Sequence, residues 1–225
     1  RYYAALGLAA EASHLALGYF NRSETLGITM KGAQDWLTVA DGKVEDFLRR
    51  RLSELFPHDT VIGEEGGGQA SDAVWILDPI DGTANLARGD RNWCISSGFL
   101  ASRQPEIGVV AAPALREVYA ARRGAGATLN GDPIKVSGTT DIGRASVELG
   151  WSTRIPAANY IKVIERNYAA GAAMKRGGSG TLGLCHVADG SSDAYAELHI
   201  NAWDVAAGIV IASEAGARIN DFFAG

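Results

Sequence analysis

Cysteine, cationic residues and long apolar runs are scarce in this chain, and each scarcity excludes a class of protein. The 225 residues include only two cysteines, Cys94 and Cys185, too few for a disulfide framework or a zinc knuckle. The 21 Lys and Arg residues are outnumbered by 26 Asp and Glu residues, so no basic surface for a nucleic-acid backbone is predicted. No apolar run approaches the roughly 20 residues that a membrane helix needs. We therefore expect a cytoplasmic protein with two buried thiols that binds neither nucleic acid nor a membrane.

The composition is otherwise that of a globular protein with many turns. Hydrophobic residues make up 47% of the chain, charged residues 21%, and there are 28 glycines. Apolar residues at helical spacing predict helices over residues 2–20 and 40–56, and a meander of short antiparallel strands follows. After residue 138, predicted strands and helices alternate. We therefore predict an α/β fold, with an antiparallel sheet in a lobe of residues 1–138 and an α/β layer in a lobe of residues 139–225.

The segment from Trp75 to Thr83 places the carboxylates of Asp78 and Asp81 in a predicted turn. Pro79 fixes its own φ and has no backbone N–H, so the strand over residues 73–77 is expected to stop there. Asp78 and Asp81 then project from one bend, where two anions repel each other unless a cation lies between them. Mg²⁺ takes such oxygen ligands. Asp-Pro and Asp-Gly are also ordinary turn dipeptides, so this segment alone leaves a metal site and a plain turn equally open.

Two further acidic positions have an ordinary explanation when each is taken alone. Glu64 and Glu65 follow a short β-type run and are compatible with a solvated surface loop. Asp204 precedes an apolar run, where a carboxylate is the usual helix N-cap. Because a helix that is apolar on nearly all sides is buried, its positive N-terminal end would face an internal anion site.

Taken in order, Gly63-Glu64-Glu65, the segment Asp78–Thr83 and the segment Trp203–Gly208 resemble the motifs of the inositol monophosphatase family. Its members are metal-dependent, lithium-sensitive phosphomonoesterases, and the resemblance extends over almost the whole chain. The resemblance implies a layered αβαβα sandwich with a mixed sheet in the second lobe. It also implies a homodimer that hydrolyses a small polyol phosphate ester, inositol 1-phosphate first. Fructose 1,6-bisphosphate, nucleotide 3′-phosphates and histidinol phosphate stay open as substrates, and so does a non-catalytic metal- or phosphate-binding module on the same fold.

The resemblance also implies two or three Mg²⁺ ions and a role for each matching residue. The implied metal ligands are Glu64, Asp78, the carbonyl oxygen of Ile80, Asp81 and Asp204. The implied catalytic residues are Glu64 and the pair formed by Thr83 and Asp41, with Lys31 and Thr38 in the matching upstream segment. The implied substrate contacts are Asp81, Gly82, Thr83, Ser179, Glu197 and Asp204.

Three features do not belong to this set. The segment Gly178–Gly183 matches the glycine fingerprint of dinucleotide-binding folds, but it lies late in the chain rather than after a first strand. The four histidines lie outside the acidic motifs and are expected on the surface or satisfied in the core. Family members continue further beyond the third motif, so the second lobe is expected to be incomplete at its C-terminus.

Overall fold

The computed structural model describes residues 1–22, 26–32 and 35–223. Its helices are α1 (Tyr2–Phe20), α2 (Val39–Leu55), α3 (Thr83–Ala87), α4 (Ala157–Ala169), α5 (Gly180–Asp189) and α6 (Ala202–Glu214). Its strands are β1 (Thr29–Gly32), β2 (Asp35–Leu37), β3 (Thr60–Gly63), β4 (Ala73–Asp81), β5 (Cys94–Ala101), β6 (Gln104–Ala112), β7 (Glu117–Arg122), β8 (Ala127–Leu129), β9 (Asp132–Ile134), β10 (Ser146–Leu149), β11 (Ala173–Lys175) and β12 (Ala194–Ala196). None of these helices has the length and apolar character needed to cross a membrane.

A seven-stranded sheet runs in the order β3-β4-β5-β6-β7-β8-β9. β3 and β4 pair in parallel and the other neighbours pair antiparallel. The predicted antiparallel sheet therefore also contains one parallel pair at its edge. Asn130 and Gly131 connect β8 to β9 with φ values of 53° and 90°, and these positive values are the reason that an Asn-Gly pair predicts a hairpin.

A second sheet has the order β11-β10-β12. Its described strands all pair in parallel, where the family resemblance implies a mixed sheet. Helices connect these strands, and a parallel pair needs such a crossover because a tight turn cannot join its ends. The α/β class is confirmed, and the lobe boundary at residue 138 stays a prediction.

Each face of the seven-stranded sheet packs against a pair of helices. Along β6, Val109 and Ala111 join a buried cluster with α1 and α2. The alternating residues Val110 and Ala112 join a second cluster with α5 and α6. Because successive side chains of a strand point to opposite faces, one apolar strand supplies both cores. α5 also contacts β12, and α4 contacts β11, so the layers alternate as predicted.

Two glycines let α6 lie very close to the sheet. A Cβ at Gly98 would lie 2.8 Å from the Cβ of Ala206, and a Cβ at Gly108 would lie 2.3 Å from the backbone oxygen of Ala207. Real side chains do not tolerate such distances. Since Asp204 lies in the first turn of this helix, the close approach sets the depth at which its carboxylate meets the sheet.

We expect Gly108→Ala to destabilise the protein by about 1–3 kcal/mol or more, because backbone of α6 has to move away from an overpacked site. Gly138→Ala is the matched control, since a Cβ there would meet no atom within 4 Å. Urea unfolding measures both free energies. Equal free energies of unfolding for the two variants would contradict the close packing of α6.

Candidate metal centre and its cavity

Four acidic side chains from three parts of the chain meet near the end of β4. Asp78, Asp81 and Asp204 each place one carboxylate oxygen within 4.8 Å of the others. Asp78 is only 1% exposed. Glu64, in the turn after β3, is close enough that its charge raises the pKa of Asp78. The structure thus brings the acidic residues of the three sequence motifs together.

β4 continues through Pro79 to Asp81, so the prediction that Pro79 ends this strand is wrong. Its pairing with β5 is regular up to Asp78 opposite Ser96 and resumes with Asp81 opposite Cys94. The irregularity between these pairs explains why proline is tolerated, because a bulge needs no ladder hydrogen bond from it. Residues three apart on a regular strand point to opposite faces. The bulge removes that opposition and lets both aspartates face one site.

Asp81 receives its hydrogen bonds from the N-terminus of α5. Its Oδ2 accepts from Ser179 Oγ at 2.6 Å and from the backbone N–H of Thr181 at 2.6 Å. Ser179 is also the N-cap of this helix, because its Oγ accepts from Leu182 N at 3.2 Å. The glycine fingerprint segment therefore binds a carboxylate of the protein itself. Ser179, predicted to contact substrate, is buried and donates its hydroxyl to Asp81.

Asp204 is held by a capping box rather than serving as the cap. α6 begins at Ala202, Asn201 is its N-cap, and Asp204 is at position N3. Oδ2 of Asp204 accepts from the backbone N–H of Asn201 at 2.9 Å. The prediction of Asp204 as N-cap is therefore wrong, because the helix starts before the purely apolar run. The hydroxyl of Thr181 donates to the carbonyl of Asp204 at 2.6 Å and ties α5 to α6.

Thr83 and Asp41 are hydrogen-bonded beside the acidic cluster. Thr83 Oγ1 donates to Asp41 Oδ1 at 2.8 Å and lies 2.9 Å from the carbonyl oxygen of Ile80. Asp41 is 0% exposed, and its Oδ2 accepts from the backbone N–H and the hydroxyl of Thr38 in the capping box of α2. Burial raises the pKa of Asp41.

Burial and mutual repulsion raise the pKa values of the acidic cluster. The pKa of Glu64 rises to about 8, mainly through burial and against the attraction of Lys31, whose Nζ lies 3.6 Å from Glu64 Oε1. Burial and the charge of Asp81 raise the pKa of Asp204 to about 6. A divalent cation would relieve this repulsion, and a donor set made only of oxygen suits Mg²⁺. The residues therefore fit Mg²⁺, the metal that the family resemblance implies.

The cluster forms one side of a cavity of about 580 Å³. Three arginines that sequence reasoning missed also line it, Arg88, Arg154 and Arg176. Arg176 stacks on the ring of Trp151 at 5.6 Å and Arg88 on the ring of Trp36 at 4.5 Å. None of the three forms an ion pair with the described residues. The only local sequence signal was the basic pair ending at Arg176.

The remaining predicted contacts also line the cavity. Gly82, with φ 95°, precedes α3, and Glu197 accepts a hydrogen bond from the Tyr195 hydroxyl at 2.5 Å. Burial raises the pKa of Glu197 to about 7. His199 lines the cavity too, and its buried Nδ1 has no hydrogen-bond partner among the described residues. The expectation that every histidine lies on the surface or is satisfied in the core is therefore wrong for His199.

We expect the metal-free protein to lose stability as the pH rises. The pKa values of Glu64 and Asp204, about 8 and about 6 in the folded protein, exceed the ordinary carboxyl value of about 4. Between the unfolded and folded values the folded state binds more protons, so the free energy of unfolding falls with pH and levels off above the folded value. Deprotonated carboxylates bind the cation, so the rise in Tm caused by saturating Mg²⁺ should grow from about pH 5.5 to about pH 8.5.

Thermal melts in EDTA and in Mg²⁺ across this pH range provide the measurement. Asp78→Asn removes one buried carboxylate and should flatten the metal-free pH dependence. A rise in Tm with Mg²⁺ that stays constant across the range would contradict the assignment of the cluster as a cation site.

Comparison with known proteins agrees with this architecture. The model of the "Inositol monophosphatase family" matches residues 1–225. Inositol monophosphatase 2 of Homo sapiens is 38% identical over 204 residues, which cover 86% of this chain and 70% of that protein. The Nus factor SuhB of Xylella fastidiosa is 34% identical over 217 residues, which cover 95% of this chain and 79% of that protein. The crystal structure of the extragenic suppressor protein suhB from Bartonella henselae has a TM-score of 0.91 at 27% identity, over 95% of this chain and 84% of that chain. With its whole length matched in sequence and its fold matched in structure, this chain belongs to the inositol monophosphatase family.

Proposed function

We propose that the chain hydrolyses a small polyol phosphate monoester, inositol 1-phosphate first, with the help of divalent cations. One observation carries this proposal. A carboxylate cluster suited to cations shares a cavity with the Thr83 hydroxyl, which is hydrogen-bonded to the buried Asp41. A metal-dependent phosphatase needs both features, because the phosphate charge has to be offset and a water has to be activated. The family membership and the name of the human relative support the same substrate.

We propose that the site would hold two or three Mg²⁺ ions. The proposed ligands are the carboxylates of Glu64, Asp78, Asp81 and Asp204 and the carbonyl oxygen of Ile80. Bound there, the ions would lower the pKa of a water toward about 7 and offset the negative charge of the phosphate. Hydrogen bonds from Ile80 N, Ser179 and Asn201 fix one oxygen of each aspartate, so the carboxylates are oriented before any ion arrives.

Thr83 and Asp41 are proposed to take the proton of the attacking water. When the Thr83 hydroxyl donates to Asp41 Oδ1, its oxygen keeps lone pairs that can accept a hydrogen bond. The water then donates its proton to Thr83 Oγ1, and Thr83 passes its own proton to Asp41. Asp41 suits this role because burial raises its pKa and so favours its protonated form.

We propose that Glu197, which lines the cavity, recognises the polyol. Glu197 is oriented by the Tyr195 hydroxyl, and an ionised carboxylate so oriented accepts hydrogen bonds from substrate hydroxyls. We propose that Gly82 and Thr83 contact the phosphate and that Asp81 and Asp204 also face the substrate. Ser179 would act on the substrate through Asp81, because its hydroxyl already donates to that carboxylate.

We expect Asp81→Asn to lower Mg²⁺-dependent phosphate release by at least about 100-fold, the scale on which perturbed metal sites lose activity. Asparagine has the same size and can still accept from Ser179 and Thr181, so the fold should persist. Phosphate release from inositol 1-phosphate is measured with Mg²⁺, with EDTA and with added Li⁺, and Li⁺ should inhibit the wild-type protein. Asp132→Asn, an exposed aspartate on β9, is the control and should behave as wild type.

Full activity of Asp81→Asn would contradict the assignment of Asp81 as a metal ligand. A wild-type protein that binds Mg²⁺ without releasing phosphate from any member of a substrate panel would instead support a non-catalytic binding module.

We expect Thr83→Val to reduce turnover by about 10²–10⁴-fold, the contribution typical of a positioned proton acceptor. Valine matches the shape of threonine but offers no hydroxyl, so Mg²⁺ affinity should stay at the wild-type value. Thr83→Ser, which keeps the hydroxyl, should recover most of the turnover. Single-turnover phosphate release and calorimetric Mg²⁺ titration separate the two quantities, and wild-type turnover in Thr83→Val would refute the proton path.

A second substrate class is favoured by the three arginines of the cavity. Arg88, Arg154 and Arg176 have guanidinium donors that suit a second anionic group, and inositol 1-phosphate has none. Fructose 1,6-bisphosphate and a nucleoside 3′,5′-bisphosphate therefore belong in the substrate panel beside inositol 1-phosphate and histidinol phosphate. Preference for a bisphosphate would favour this second class over the simple polyol phosphate.

A further inference from the structure

We propose that Glu45 and Arg49 of α2 are positioning residues that hold Glu64 at the metal centre. Neither side chain lines the cavity, so both would act only through the turn that carries Glu64. The inference rests on the proposed function, because it concerns how tightly the proposed metal centre binds a divalent cation. Its test measures cation binding directly and does not require turnover.

Glu45 is a buried carboxylate bonded to the backbone of this turn. It is 2% exposed, and its Oε2 accepts from the N–H of Glu65 at 2.8 Å. Its Oε1 accepts from the N–H of Gly66 at 2.7 Å and from Arg49 Nε at 2.6 Å. Hydrogen bonds to an ionised acceptor are about twice as strong as neutral ones. The residues immediately after Glu64 are thus fastened to α2.

Arg49 closes the other side of the same turn. Its guanidinium donates to the carbonyl of Val61 at 3.2 Å and to the carbonyl of Gly67. Val61 precedes Glu64 on β3, and Gly67 follows it. Glu45 and Arg49 together bind the backbone on both sides of Glu64. The turn therefore has little freedom to move the Glu64 carboxylate away from Asp78.

Gly63 and Gly66 allow the Glu45 carboxylate to lie directly against the backbone of this turn. A Cβ at Gly63 would lie 2.5 Å from Glu45 Cδ, and a Cβ at Gly66 would lie 2.8 Å from Glu45 Oε1. The carboxylate therefore packs directly on the turn backbone with no space for a side chain between them. A residue at either glycine would have to displace the turn, the carboxylate or both.

α2 also relates Glu64 to the proton acceptor pair. Asp41 and Glu45 are four residues apart and so lie on the same face of the helix. Asp41 accepts from Thr83, while Glu45 accepts from the turn of Glu64. One rigid helix thus sets the distance between the proposed metal ligand and the proposed proton path.

The test measures Mn²⁺ binding to the full chain by electron paramagnetic resonance of the free ion, without substrate. Mn²⁺ accepts the same oxygen ligands as Mg²⁺. We expect Glu45→Gln to weaken binding by about 10- to 100-fold, the usual effect of losing a group that orients a metal ligand. Its amide can accept with only one oxygen and turns a donor toward another donor. Asp46→Asn, an exposed acid on the same helix, is the matched control and should bind as wild type.

Arg49→Met separates positioning from simple charge. Removing a positive charge near the cluster would tighten cation binding if only long-range electrostatics mattered, whereas loss of the contacts to Val61 and Gly67 should weaken it. Gly66→Ala changes no charge and should also weaken binding by displacing the turn. In activity assays, Glu45→Gln should need more Mg²⁺ for half-maximal rate but approach the wild-type rate at saturation.

Weaker binding in all three variants supports the proposal. Tighter binding by Arg49→Met, or unchanged Mn²⁺ affinity with only a lower metal-free Tm, would overturn it. If Glu45→Gln fails to fold, the Mn²⁺ affinity of Gly66→Ala decides: weaker binding supports the proposal and unchanged binding overturns it. If the wild-type protein binds Mn²⁺ but hydrolyses no phosphate ester, the proposed function is refuted. The comparison of Mn²⁺ affinity between the variants and the wild type still tests the positioning role.

Discussion

Repulsion among buried carboxylates is the constraint on which the rest of this structure depends. Asp78, Asp81 and Asp204 lie within 4.8 Å of one another at their closest oxygens, and burial leaves little water to screen them. Left alone, such groups would separate or take up protons, as their raised pKa values indicate. The cluster therefore exists only because stronger local structure holds each member. The function proposed for the cavity uses the same repulsion, since a site that disfavours its own charge favours a divalent cation.

Different elements of the fold hold the carboxylates in place, and this explains why β4, α5 and α6 have to meet at one site. A bulge in β4 turns two aspartates to one face, the N-terminus of α5 binds Asp81, and a capping box binds Asp204. These elements come from distant parts of the chain, so they meet only because α6 can press against β5 and β6. Gly98 and Gly108 permit that approach. The mainly apolar α6 then supplies burial that offsets the cost of bringing Asp204 inside.

Local patterns in the sequence predicted most helices and strands, whereas the acidic members of the site were assigned through the family resemblance. Helical spacing found α1 and α2 to within a residue, and the Asn130-Gly131 pair found its hairpin, because both signals are local. The extension of β4 beyond Pro79 was missed, since only pairing with β5 shows that the proline lies in a bulge. Asp204 was taken as a cap because a carboxylate directly before an apolar run is typical of an N-cap, and the capping box that places the cap at Asn201 is visible only in the structure. No local pattern marks the role of Glu45, because Glu65 and Gly66, whose backbone it binds, lie about 20 residues further along the chain.

The cavity lining carries charges of both signs, and for the proposed function this bears on the order in which ligands bind. Without cations, Asp78 and Asp204 repel a phosphate dianion, while Arg154 and Arg176 of the same cavity attract it. A phosphate ester entering first would therefore favour the arginines over the acidic cluster beside Thr83, whose hydroxyl is proposed to act on water. Bound cations would reverse the sign of the acidic cluster and make it the stronger site for the dianion. For the proposed function, productive binding would then follow only after the carboxylates have been neutralised. The repulsion that raises the pKa values of the metal-free cluster would thus also keep a phosphate ester away from Thr83 until cations are bound.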